Sequence, residues 1–307
     1  MPQSDKTKGY FALFITSIVW GTTWVVSKIG VSIMPPMQLV YLRQFFGGII
    51  FVGFFLLFKK VPIPTVKQFR WLFMMSIIMF VSANGLSTWG VKYIPPGLGA
   101  LIGSLYPLVV VMLERLFFKN KQANVATFFG LLLSIGGIAL IFSKNNFSNN
   151  NPHFLLGVLF SITAVVSWSF GTILMAKNKS EINPYYGIGW QMLISSTMIF
   201  IFMQVSGATI PLVEIPKTAW FAIAYLVILG SLIAFVAFIY SMKKLPTSIA
   251  TLYAYINPIV ATIIGIVVFK DHINKFTTIG MIITIGGVFL VNNSIKKKEI
   301  IITEAEL

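Results

Sequence analysis

The chain has 307 residues, of which 57% are apolar and only 10% charged. Soluble domains carry about 25% charged residues, so this composition cannot cover a soluble surface. It also excludes a disordered chain, a coiled coil and, with no Cys anywhere, a secreted disulfide scaffold, a thiolate nucleophile or a Cys-ligated metal.

A bilayer core needs about 20 apolar residues per helix. On that criterion the sequence predicts an all-α polytopic membrane protein with ten transmembrane helices, near 9–31, 37–58, 69–91, 96–117, 123–143, 154–176, 184–206, 218–242, 247–269 and 275–294. The first stretch is long enough to span, and no small-residue cleavage site follows it, so it reads as a span rather than a signal. Pro35-Pro36, Pro62, Pro95-Pro96, Pro184 and Pro246 fall at helix starts or joints, where a missing N–H is harmless. Asn145–Asn151 is the least apolar stretch and the expected linker between two halves.

The net charge of +15 would suggest nucleic acid in a soluble protein. No basic arm with interleaved aromatics supplies a continuous phosphate-binding face. In a bilayer the charge orients the spans. For ten spans, sixteen Lys and Arg fall on the side of the termini and five on the other, with Lys28 and Arg43 inside spans. That bias places both termini in the cytoplasm, as expected for a multi-pass protein of the inner (cell) membrane.

The halves match each other. Gly9 and Trp20 pair with Gly157 and Trp168 at an offset of 148, and Gly130, Gly136 and Gly137 pair with Gly280, Gly286 and Gly287 at 150. Trp89, Lys92, Pro95 and Pro107 pair with Tyr240, Lys243, Pro246 and Pro258 at 151. The expected domains are therefore a first five-helix repeat over 9–143 and a second over 154–292. Five is odd, so the second repeat enters the bilayer inverted, an arrangement that underlies alternating access in secondary transporters.

These residues resemble the EamA-type ten-helix members of the drug/metabolite transporter superfamily. The resemblance rests on Val19-Trp20-Gly21-Thr22-Thr23-Trp24, Leu42-Arg43, Ala100 to Pro107, Ala250 to Pro258, and Phe269-Lys270-Asp271 followed by Gly280 and Gly286-Gly287. Lys121 stands in the first repeat where many members carry an acid. The resemblance implies ten helices around a central cavity and a metabolite permease, commonly an exporter of amino acids or similar solutes.

An enzyme would need a nucleophile or an acid–base constellation, and none is legible. There is no His-Glu-x-x-His pair, no Gly-x-Ser-x-Gly elbow, no phosphate loop and no metal-ligating cluster. No cofactor is expected. Of eight acids only Glu114 falls inside a span, one turn from its cytoplasmic end, where it either binds a proton or a substrate ammonium or snorkels beside Arg115. Arg43 lies about 9 Å into its span, and either a structural partner or a solute carboxylate would offset the cost of its charge. Its counterpart is Gln191. Trp20, Trp24 and Trp168 sit mid-span, away from the interfacial belt. Asn84, Tyr106, Tyr253, Tyr255 and Asn257 complete the candidate lining, and Pro107 and Pro258 are candidate hinges.

The expected function is a secondary transporter, exporting small metabolites such as amino acids by alternating access. Its partners are the solute and the lipid bilayer, without nucleic acid, and the chain is compatible with a monomer. Transport of other solutes, such as sugars or cationic drugs, and a non-transporting membrane scaffold are the alternatives.

Overall fold

The computed structural model describes residues 3–118, 125–144, 152–177, 182–245, 253–270 and 274–305. All regular structure in these residues is helical. The helices are α1 (Gln3–Ile33), α2 (Pro36–Leu57), α3 (Val66–Tyr93), α4 (Pro96–Gly103), α5 (Tyr106–Phe118), α6 (Val125–Lys144), α7 (Phe154–Lys177), α8 (Pro184–Ser206), α9 (Lys217–Lys244), α10 (Tyr253–Phe269) and α11 (Lys275–Ala305). The starts are written in the sequence. Pro36, Pro96 and Pro184 each occupy the first turn of a helix, where no N–H is needed. Thr65 and Gln68 form a reciprocal capping box on α3, and the Asn183 side chain accepts from Tyr185 and Tyr186 at the start of α8.

Seven helical stretches are long and apolar enough to cross a membrane, counting Pro96–Phe117 as one. Shorter apolar helices lie at Phe128–Ile141, Tyr253–Phe269 and Lys275–Val291. The expected linker at 145–151, the start of the expected span at 247–269, and Lys121 and Asp271 lie outside the described residues.

The span expected at 96–117 is not a single rod. It breaks at Ser104-Leu105, between α4 and α5. Pro107 has no N–H to donate to the carbonyl four residues earlier, so the ladder must be interrupted here. The chain tightens into short turns: Ser104 N donates to Leu101 O at 3.1 Å besides Ala100 O at 2.9 Å, and Leu105 N to Ile102 O at 3.1 Å. The break thus precedes Pro107, which becomes the second residue of a new helix. Pro258 remains inside α10.

Two helices depart from α geometry without breaking. α3 is π-helical over Ser76–Gly85 and α9 over Leu226–Ile233. Neither segment is visible in the apolar pattern.

The packing is paired. α1 lies on α9 and α10, while α7 lies on α3, α4 and α5; α2 packs on α8 and α6 on α11. The α6–α11 contact is the most extensive among the described residues and is reciprocal. A Cβ added at Gly130 would meet Gly287 O at 2.6 Å, and one at Gly287 would meet Gly130 O at 2.6 Å. Gly137 and Gly280 bear the same relation, also at 2.6 Å. Between them Ser134 Oγ donates to Thr284 O at 3.3 Å and Thr284 Oγ1 to Ser134 O at 3.4 Å. Small residues let these backbones touch, which is how helices associate where lipid removes the hydrophobic drive.

Candidate substrate cavity

Three helices present a polar or small-residue face at i, i+3, i+4 and i+7, the spacing of one helix surface. On α1 it is Trp20, Thr23, Trp24 and Ser27; on α3, Asn84, Ser87, Thr88 and Val91; on α7, Ser161, Ala164, Val165 and Trp168. These faces converge with Arg43, Ala100, Gly103, Ser104 and Tyr106 on a cavity of about 170 Å³. Thr23, Trp24 and Ser27 of α1 and the four residues of α3 lie toward the end of the bundle where α1 turns into α2 and α3 into α4. Residues from α9 (Phe235) and α10 (Tyr253, Ala254, Asn257) complete the wall.

The cavity ends on an aromatic cluster. The Trp20 ring lies 6.3 Å from Trp168, 5.3 Å from Phe235, 5.0 Å from Phe238 and 5.1 Å from Tyr253, mostly edge to face. The indole N–H of Trp20 donates to Gly230 O at 3.2 Å, so this buried polar group is satisfied. Trp24 reaches its place because α4 has no side chain in the way. A Cβ at Gly99 would stand 2.9 Å from the Trp24 ring and one at Gly103 3.2 Å from it.

Arg43 is 7% exposed and its Nε donates to Ser231 Oγ at 3.0 Å, within the π-helical segment of α9. Its neighbour Gln44 turns to the other π segment, donating to Phe80 O at 3.1 Å and to Asn84 Oδ1 at 3.4 Å, and accepting from Ser195 Oγ. Asn257 has its amide nitrogen assigned from its neighbours, donating to Ser17 O at 2.9 Å and Tyr253 O at 3.1 Å. No lining residue is an acid or a histidine, and no group of three metal-ligating side chains occurs among the described residues.

The sequence profile described as the EamA-like transporter family matches this chain twice, over residues 7–143 and 155–293. The chain belongs to the EamA-like transporter family. Its relatives include the uncharacterized inner membrane transporter YedA of Escherichia coli (strain K12), 26% identical over 91% of this chain and 89% of that protein. The uncharacterized transporter YoaV of Bacillus subtilis (strain 168) is 23% identical over 92% of this chain and 96% of its own. A solved crystal structure of a protein 18% identical in sequence matches with a TM-score of 0.65, over 95% of this chain and 99% of that one, a likeness of fold. This EamA-like protein is accordingly a multi-pass membrane transporter, with a small-molecule solute and a lipid surround.

Of the residues named from sequence, Trp20, Trp24, Arg43, Asn84, Tyr106, Trp168, Tyr253 and Asn257 line the cavity of this EamA-like protein. Three do not. Tyr255 is buried and donates from its hydroxyl to Val288 O at 3.2 Å, tying α10 to α11. Gln191 is 4% exposed within α8, its Oε1 unsatisfied, and is not among the lining residues. Glu114 is half-buried on α5, two turns beyond Tyr106 and off the cavity. Lys28, placed inside a span by the sequence, donates to Lys92 O at 3.0 Å and Ile94 O at 3.1 Å, a cation on the carbonyls at the end of α3.

Sequence reasoning missed Thr23, Ser27, Ser87, Thr88, Ser104 and Ser161. The usable signal was their spacing on α1, α3 and α7. It is weak, because Ser and Thr in apolar helices mostly bond their own preceding turn, as Ser161 does to Gly157 O at 2.9 Å.

Proposed function

We propose that this protein is a secondary transporter that moves small metabolites, amino acids among them, outward across the cell membrane by alternating access as a monomer. It does so with ten spans arranged as two inverted five-helix repeats, 9–143 and 154–292, and with both termini cytoplasmic. The observation that carries the reading is the cavity's place against the Trp20–Trp168 contact. On α1 and α7 its further lining residues (Thr23, Trp24 and Ser27; Ser161, Ala164 and Val165) fall on one side of that contact, and these two rings come from equivalent positions of the two halves. With cytoplasmic termini, the ends of α1 and α3 and the starts of α2, α4 and α7 are external. The aromatic cluster then closes the inner side, leaving the solute site facing outward.

The reciprocal α6–α11 contact supports inversion. Gly130 meets the counterpart of Gly137, Gly137 meets the counterpart of Gly130, and Ser134 meets its own counterpart, which is what a two-fold axis requires. The inverse state would open the cluster and pack the other end of the bundle. The test is proteoliposome uptake and efflux against an amino-acid panel. Saturable flux is expected, and Trp20→Ala is expected to weaken it strongly when compared per amount of folded, reconstituted protein. Flux indifferent to Trp20→Ala would remove the cavity from the pathway.

A further inference from the structure

The charges of the cavity are one-sided in sign. Among the described residues Arg43 is its one charged lining residue, and none that lines it is an acid. A guanidinium has five N–H donors in a rigid fork and no accessible neutral state. Here Nε is bonded to Ser231 Oγ at 3.0 Å, and the remaining four donors have no partner among the described residues. A buried cation without a counter-ion is costly. A fork with its second edge free presents two parallel donors, the geometry that binds a carboxylate bidentately.

The charge is not part of the duplicated scaffold. The position equivalent to Arg43 holds Gln191, which is neutral and off the cavity. If the fold required a cation at this depth, the second half would be expected to need one too. The rest of the wall suits an uncharged body: it includes the rings of Trp20, Trp24, Trp168 and Phe235 together with small or hydroxyl side chains. The cavity of about 170 Å³ holds on the order of ten waters, and so a solute of roughly ten non-hydrogen atoms.

We infer that the cavity selects its solute by a carboxylate held on Arg43, and that an ammonium group contributes little to recognition. This rests on the cavity being the transport site. The solute class is then small monocarboxylates with an apolar body, with amino acids accepted through their acid end. An ammonium finds only neutral oxygens and ring faces here, and the latter attract cations weakly beside the like charge of Arg43.

The test is a matched series on one skeleton, with the full-length protein purified in detergent. 3-Phenylpropanoate carries the carboxylate alone, L-phenylalanine both groups, 2-phenylethylamine the ammonium alone, and 3-phenylpropanamide neither charge. Binding is read as the rise in thermal unfolding midpoint with ligand concentration. The acid is expected to bind at least as tightly as the amino acid, and about 10- to 100-fold more tightly than the amine or the amide. Arg43→Gln should erase that preference, and Arg43→Lys should weaken acid binding while keeping the order. The wild-type series decides by itself if the variants do not fold. Amine binding as tight as acid binding, or acid binding unchanged in Arg43→Gln, overturns this inference and leaves the transport reading intact. Failure of all four to bind, together with amino-acid flux indifferent to Trp20→Ala, overturns both.

Discussion

Trp20 donates its indole N–H to the backbone oxygen of Gly230, 210 residues further along the chain and 3.2 Å away. Gly230 lies in the π-helical segment of α9, where backbone bonds run from i to i+5 and fall out of step with the flanking α turns. The π segment of α3 is met in the same way, Phe80 O accepting from Gln44 at 3.1 Å. Within the membrane no water stands ready to satisfy a displaced carbonyl, so a side chain from a neighbouring helix does so.

Trp20→Phe keeps an aromatic ring in the cluster but removes the donor to Gly230. The expected loss is about 1 kcal/mol of stability, read from thermal unfolding in detergent. Trp20→Ala empties the ring's place as well and should cost about 3–5 kcal/mol. Equal losses in the two variants would show that the N–H bond, rather than ring packing, dominates this position.

Gln44 is 1% exposed and serves Phe80 O, Asn84 and Ser195 together. Gln44→Leu matches its shape and strands these partners, so a loss of about 1–3 kcal/mol is expected. Ser195→Ala in the Gln44→Leu background should cost less than in the wild type, because its partner is already gone. A double-mutant cycle measures that coupling, and strict additivity would refute the network.

Glycines separate by what stands opposite them. Gly99→Ala drives a Cβ to within 2.9 Å of the Trp24 ring and should cost about 1–3 kcal/mol while displacing that ring into the cavity. Gly136→Ala meets nothing within 4 Å and should be neutral or stabilising by up to about 1 kcal/mol. Unfolding midpoints of the two variants side by side provide the check.

The chain contains no Cys, so single cysteines report orientation cleanly. Lys60 and Thr209 are both exposed and belong to joints expected on opposite sides. In intact cells, a membrane-impermeant thiol reagent should label Thr209→Cys and spare Lys60→Cys. The reverse pattern would invert the orientation.

Among the described residues neither a carboxylate nor a histidine lines the cavity, and side chains of those types are the ones that ordinarily exchange protons near neutrality. Transport of a solute whose own charge is constant from pH 6 to 8 should therefore vary little over that range. A gradient of about 2 pH units with no solute gradient should drive no accumulation. Accumulation lost in Glu114→Gln would make Glu114 a coupling residue despite its place off the cavity.

Much of the fold was legible because apolar run length is a coarse property that bilayer thickness fixes directly. The proline starts of α2, α4 and α8 were legible because Pro tolerates so few helix positions. Pro107 was legible as a candidate hinge, and the break at Ser104-Leu105 lies just before it, where a proline disrupts the ladder. The π segments left no trace, since hydrophobicity on every face hides helix period. Trp20, Trp24, Trp168 and Arg43 announced themselves by being polar or aromatic at mid-span. Gln191 and Tyr255 carried the same signal for structural reasons, one buried in α8 and the other bonded to α11. Only three-dimensional placement separates the two kinds.

The α6–α11 crossing also explains an unevenness in how the two halves have diverged. Gly130 and Gly137 have glycine counterparts at 280 and 287, whereas Arg43 is matched by Gln191. A side chain that crowds another side chain can be accommodated by a second change that shrinks its neighbour; Trp24 against Gly99 is a contact of that sort. At the crossing each glycine abuts a backbone oxygen, which no change of residue removes. No compensating replacement exists there, so duplicated copies free to drift elsewhere are held to the same residue at these four positions.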